Sequence, residues 1–119
     1  MPDRRSTDFV PLKPDEFEIL LALASDERHG YGILKILEER GVPLAASLLY
    51  RKLHRLMENE LVVESLRRPA AQEDDARRRY YRLTTLGRAV VRAEAARIVA
   101  LARNRQVRKL AEGLEGGRA

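Results

Sequence analysis

Apolar residues return every three or four positions along most of the chain, the spacing of helices that bury one face. Phe17, Leu20, Leu21 and Ala24 keep this spacing and predict a first helix over residues 14–24. Pro14 suits its first position, and Asp15 and Glu16 suit the positive end of its dipole. Ser25, Asp26, Glu27 and Arg28 interrupt the pattern. It resumes over residues 30–40, where Ile33, Leu34, Ile36 and Leu37 form a buried side and Gly41 is placed to end the helix. A third helix is predicted from residue 45 or 46 to residue 58, with Leu49, Leu53 and Leu56 on one face.

The period then shortens. Residues 61–66 form a short β-branched run and residues 79–83 alternate polar and apolar, so both read as strands of a hairpin. Its tip, residues 67–78, is long and charged. Asn59 is expected to turn the chain left-handedly out of the third helix. Thr84 or Thr85 caps a long helix carrying Leu86, Val90, Val91, Ala95, Ile98, Val99, Leu101 and Ala102. Residues 1–12 show no period and read as a flexible arm, and residues 113–119 read as a disordered glycine-rich tail. The expected fold is mainly α with a small β-hairpin. It is a winged helix-turn-helix over residues 13–84, followed by a C-terminal dimerisation helix over residues 85–112.

Composition narrows the chemistry. The chain has 119 residues, no cysteine and no apolar run approaching the roughly 18 residues of a membrane span. Disulfides, thiolate metal sites and cysteine nucleophiles are thereby excluded. The charged N-terminus does not resemble a signal peptide, and a cytoplasmic protein is expected. The net charge of +5 favours a polyanionic partner. His29 and His54 lie on different helices without an acidic partner at a useful spacing. With no glycine-rich phosphate loop and no HExxH, neither an enzyme nor a metal or cofactor site is expected.

The placement of the charge is more informative than its sum. On the side of the third helix opposite its leucines lie Ser47, Leu48, Tyr50, Arg51, Lys52 and Arg55. Arginine bonds guanine edges bidentately, lysine and arginine neutralise phosphates, and a tyrosine hydroxyl donates to a phosphate. Leu48 suits a thymine methyl. On an isolated helix these would be ordinary solvated charges. Their place after two short helices and before a basic hairpin makes them a set for double-stranded DNA. Arg77, Arg78 and Arg79, with Arg82, would meet phosphates or the minor groove from the hairpin. Tyr80 and Tyr81 point to opposite faces of their strand, and core packing suits them better than stacking on single-stranded bases.

The last helix has more aliphatic surface than so small a core can cover. Val90, Val91, Ala95, Ile98, Leu101 and Ala102 are therefore expected to meet a second copy of the chain. A two-fold homodimer would set two third helices about one DNA turn apart, roughly 34 Å.

Three stretches carry a family resemblance: EILLALASDERHGYGILKILEERG from residue 18, LLYRKLHRLMENELV from residue 48, and RRRYYRLTTLGR from residue 77. In that order they resemble the PadR family of bacterial transcriptional regulators, in particular its compact members with one dimerisation helix. The resemblance implies a homodimeric repressor on a palindromic operator. It places Tyr50 on the DNA backbone and makes Arg51, Arg55, Arg77, Arg78 and Arg79 the basic contacts. It also implies a small-molecule effector near the dimer interface in some members, although the interface tryptophan of drug-binding members is missing here. Two positions depart from the pattern: Ala45-Ala46-Ser47 replaces Ser/Thr-Pro-Gly, and Glu60 stands where a glycine usually precedes the first strand. A ligand-sensing regulator and a protein-interaction module on the same fold are the competing functions.

Overall fold

The computed structural model describes residues 5–65 and 79–116. Three helices come first: α1 (Pro14–Ala24), α2 (Gly30–Glu39) and α3 (Ala46–Glu58). A short strand β1 (Arg28–His29) lies between α1 and α2. Strands β2 (Val62–Glu64) and β3 (Tyr80–Leu83) follow, then α4 (Thr85–Ala102) and α5 (Arg105–Gly116). The strands form one antiparallel sheet in the order β1-β3-β2. In its register His29 pairs with Tyr80, and Val62 with Leu83. The expected hairpin is thus a three-stranded sheet. A two-residue strand is too short to show a period, so β1 exists only through its pairing with β3.

The helix ends follow from local chemistry. Gly41 adopts φ +80, and the N–H groups of Gly41 and Val42 return to the carbonyls of Glu38 and Leu37. The same 6→1 and 5→2 bonds close α3, from Leu61 to Leu56 and from Glu60 to Met57. The left-handed residue there is Glu60, at φ 64, and not Asn59, at φ −84. Asn59 sits one position too early: the last bonds of α3 place the turn at the next residue, whatever its side chain prefers.

The core joins all parts of the chain. Ile19, Leu20, Leu23, Ile33, Leu37, Leu49, Leu53, Leu61 and Val90 are fully buried together. On α1 the buried face is centred on Ile19, Leu20 and Leu23, whereas Phe17, Leu21 and Ala24 lie at its margin. The helical period matches the sequence pattern, but the buried face is displaced from it by part of a turn. Val90 and Val91 belong to this core as well, which corrects their assignment to a dimer face. They pack where α4 crosses α1, near its N-terminal end.

The ends also differ from expectation. Ser6–Phe9 form a 3-10 turn against α4, and Phe9 and Leu12 pack on the core, so this part of the expected arm is docked. Residues 1–4 lie outside the described residues, as do 66–78 and 117–119. The long helix is divided: α4 ends at Ala102, and Asn104 accepts the Val107 N–H at 3.0 Å to start α5. Helix α5 reaches Gly116, into the segment expected to be a disordered tail.

One buried carboxylate holds the docked segment. Glu94 is 2% exposed and takes a bidentate bond from Arg97 at 2.9 and 2.8 Å. That bond holds its carboxyl below the usual value of 4.5, helped by the Leu12 backbone N–H and opposed by burial. A depressed folded value stabilises the native state above the unfolded value, and this stabilisation fades as pH falls through the folded one. The melting temperature of the wild type should therefore exceed that of Glu94→Gln at neutral pH. The margin should shrink once pH drops below about 4.5. A margin that stays constant from neutral to acid pH, measured by thermal denaturation, would show that the ionised carboxylate contributes nothing.

Candidate nucleic-acid interface

Helix α3 owes its orientation to two anchors. Leu49, Leu53 and Leu56 are buried on one side. On the flank, Lys52 pairs with Asp15 at 3.2 Å and with Glu16 at 3.9 Å in the first turn of α1. Lys52 retains only 15% side-chain exposure. It was expected among the outward cations, and the structure corrects this. It lies one residue too close to the leucine face, within reach of two acids, and its charge is engaged inside the fold.

What remains outward is narrower than the sequence suggested. Arg51, His54 and Arg55 are exposed, and Ser47 is exposed in the first turn. Half-buried Leu48, Arg51, Lys52, His54, Arg55 and Glu58 line a surface depression of about 320 Å³. His54 Nε2 lies 3.2 Å from a Glu58 carboxylate oxygen. His54, which the helical spacing sets beside Arg51 and Arg55, belongs to this face, and Glu58 joins it. The signal was present, since positions 47, 51, 54, 55 and 58 keep the helical period. Ala45 caps α3 without a side-chain bond, as its departure from the Ser/Thr-Pro-Gly pattern implies.

Tyr50 is 48% exposed and leans over the start of α2, its ring against Gly30. Its neighbour Tyr81 is buried in the core, which together with the charges of Tyr50 and Glu64 raises that phenol above its ordinary value. Tyr80 turns the other way and meets the His29 ring edge-on at 5.3 Å. His29 Nδ1 accepts the Gly32 N–H at 3.0 Å, so this histidine caps α2. Arg79, at the foot of the wing, pairs with Glu64 at 3.1 Å and stays exposed. Arg77 and Arg78 lie outside the described residues.

Two close contacts connect the wing to the helices. Thr84 Oγ1 accepts the Gly87 N–H at 2.9 Å and donates to the Glu60 carbonyl at 2.6 Å. The backbone N–H of Thr84 donates to the Leu61 carbonyl at 3.0 Å. A Cβ on Gly87 would stand 2.0 Å from that same carbonyl oxygen. The Thr84–Gly87 spacing therefore places α4 directly on the turn between α3 and β2.

Of the expected dimer residues outside the core, Ala95 is half-buried, while Ile98, Leu101 and Ala102 are exposed. Val99 on α4 and Val107 and Leu110 on α5 are exposed with them. Among the described residues, no helix is long and apolar enough to cross a membrane.

Two helices joined by a tight turn, the second with outward arginines and followed by a strand pair, define a winged helix-turn-helix protein. The chain belongs to the PadR-like family of transcriptional regulators, whose family description it matches over residues 19–93. It is a DNA-binding transcriptional regulator. No curated protein matches it. A PadR family regulator from Eggerthella lenta is similar in structure, with 29% identity and a TM-score of 0.59 over 79% of this chain and 80% of that one. A PadR family regulator from Clostridium difficile has 23% identity and a TM-score of 0.63 over 73% of this chain and 92% of that one. RosR from H. salinarum has 24% identity and a TM-score of 0.60 over 92% of this chain and 96% of that one. The last two show likeness of fold.

Proposed function

We propose that the protein is a repressor that binds a palindromic operator as a homodimer, reading the major groove with α3. The observation that carries this is the division of labour on α3. Its leucines and Lys52 hold it to the fold, and Arg51, His54 and Arg55 remain free to face solvent on one side. Arginines on such a face suit guanine edges, and Leu48 suits a thymine methyl. Arg79, together with Arg77 and Arg78, contributes phosphate contacts from the wing.

The homodimer rests on exposed Ile98, Val99, Leu101, Val107 and Leu110. Apolar side chains grouped on one arm favour burial against an equivalent surface. Two linked copies then read two half-sites, and the operator repeats in inverted order.

The test is to incubate the purified protein with fragments of its own genome and to measure its mass by sedimentation. A few fragments sharing an inverted repeat should be retained by a dimer, and transcription from them should rise when the gene is deleted. Leu101→Glu with Leu110→Glu should yield a monomer whose operator affinity is about 100-fold lower or worse, because the second contact is no longer intramolecular. A monomeric wild type that retains fragments without regard to sequence would overturn the reading.

A further inference from the structure

The start of α2 contains a contact that α3 alone does not require. Gly30 is the first residue of α2 and is buried, although it stands beside exposed Tyr31. A Cβ built on Gly30 would lie 2.1 Å from the Tyr50 hydroxyl oxygen, 2.6 Å from the ring carbon bearing it, and 2.9 Å from the next ring carbon. All three distances are far inside van der Waals contact. The other glycine of the pair, Gly32, would meet nothing closer than 3.6 Å, so the requirement is specific to position 30. Backbone conformation does not demand glycine at position 30, because the positive-φ residues among the described ones are Glu60 and Gly41. What demands it is the Tyr50 ring.

We infer that Gly30 is a positioning residue for DNA binding: its missing Cβ makes the seat that holds the Tyr50 phenol over the first turn of α2, with its hydroxyl presented to a backbone phosphate. The inference rests on the DNA-binding reading above and deepens it. Tyr50 is on α3, and its ring reaches the first residue of α2. Without a seat, an exposed phenol would sample several rotamers, and fixing it on binding would cost conformational entropy. With the seat, the hydroxyl is fixed before DNA arrives. Tyr50 as a whole stays 48% exposed in this position. The seat thus joins α2 and α3 around one hydrogen-bond donor.

A tyrosine hydroxyl is neutral, so losing its phosphate bond should lower affinity without changing the number of counterions released. The experiment measures binding of the full chain to a random-sequence DNA duplex across a salt series, for wild type, Gly30→Ala, Tyr50→Phe, Tyr50→Ala and the double variant Gly30→Ala/Tyr50→Ala. Gly30→Ala and Tyr50→Phe should each weaken binding about five- to tenfold, as one lost hydrogen bond does, at an unchanged salt slope. In the Tyr50→Ala background, Gly30→Ala should have no further effect, because there is no ring left to displace. Folding should persist, since alanine is the better helix former. If Gly30→Ala weakens binding equally in both backgrounds, or alters the salt slope, it acts through the fold or the arginines and the inference falls. A wild type that binds no duplex would overturn the DNA-binding reading itself, and the inference with it.

Discussion

Replacing Arg51 and Arg55 together by alanine is expected to lower affinity for the operator about 100-fold or more, and to bring it close to that for a random-sequence duplex. Each well-placed arginine–guanine pair discriminates by about 1–3 kcal/mol, so two of them account for most of a modest specificity ratio. Both side chains are exposed and neither supports the core, so the melting temperature should be unchanged. The ratio of operator to random-duplex affinity, measured by fluorescence anisotropy at one fixed salt concentration, is the deciding quantity. A ratio that survives the double substitution would move specificity to the wing or to DNA shape. Lys52→Ala should do the opposite, costing stability and leaving the ratio intact, because its ammonium serves Asp15 and Glu16.

The second large effect is structural. Gly87→Ala should destabilise the protein by about 3 kcal/mol, or about 12 °C in melting temperature. The added methyl group would stand 2.0 Å from the Leu61 oxygen and 2.9 Å from its carbonyl carbon. Backbone, unlike a long side chain, cannot swing aside. This carbonyl also accepts the Thr84 N–H, so relieving the clash would strain the N-cap of α4 and the exit from α3 together. Thermal denaturation of the variant checks this. A melting temperature within a few degrees of wild type would mean that the joint between α4 and the β2 turn yields more easily than its geometry implies.

The two predictions draw on different parts of the sequence. The arginine face was legible because a helix repeats every 3.6 residues: once Leu49, Leu53 and Leu56 are assigned to the core, Arg51 and Arg55 must lie away from it. The same rule sets His54 and Glu58 on that face. Periodicity could not say that Lys52 is spoken for. Its partners, Asp15 and Glu16, are more than thirty residues away in the chain and meet it only when α1 and α3 pack. Periodicity is equally silent on Arg79, which stays exposed for a phosphate while facing Glu64 across the sheet.

The remaining differences have related causes. Val90 and Val91 looked like the rest of an aliphatic stripe, but the N-terminal half of α4 crosses α1 and buries them, while Ile98 and Leu101 extend beyond the core. Residues 6–12 show no period of their own, because their order comes from docking on α4 and from the buried Glu94 carboxylate. Strand β1 is two residues long and exists by pairing. Sequence alone determined the order of the elements, the leucine-anchored third helix and the glycine at the end of α2, since each depends on neighbours within one or two turns. Tertiary structure alone decided which cations stay free, which aliphatic residues are left over for a partner, and why positions 30 and 87 must lack a side chain. Those outcomes turn on ångström-scale approaches between distant segments, and no local pattern of residues encodes a distance of that kind.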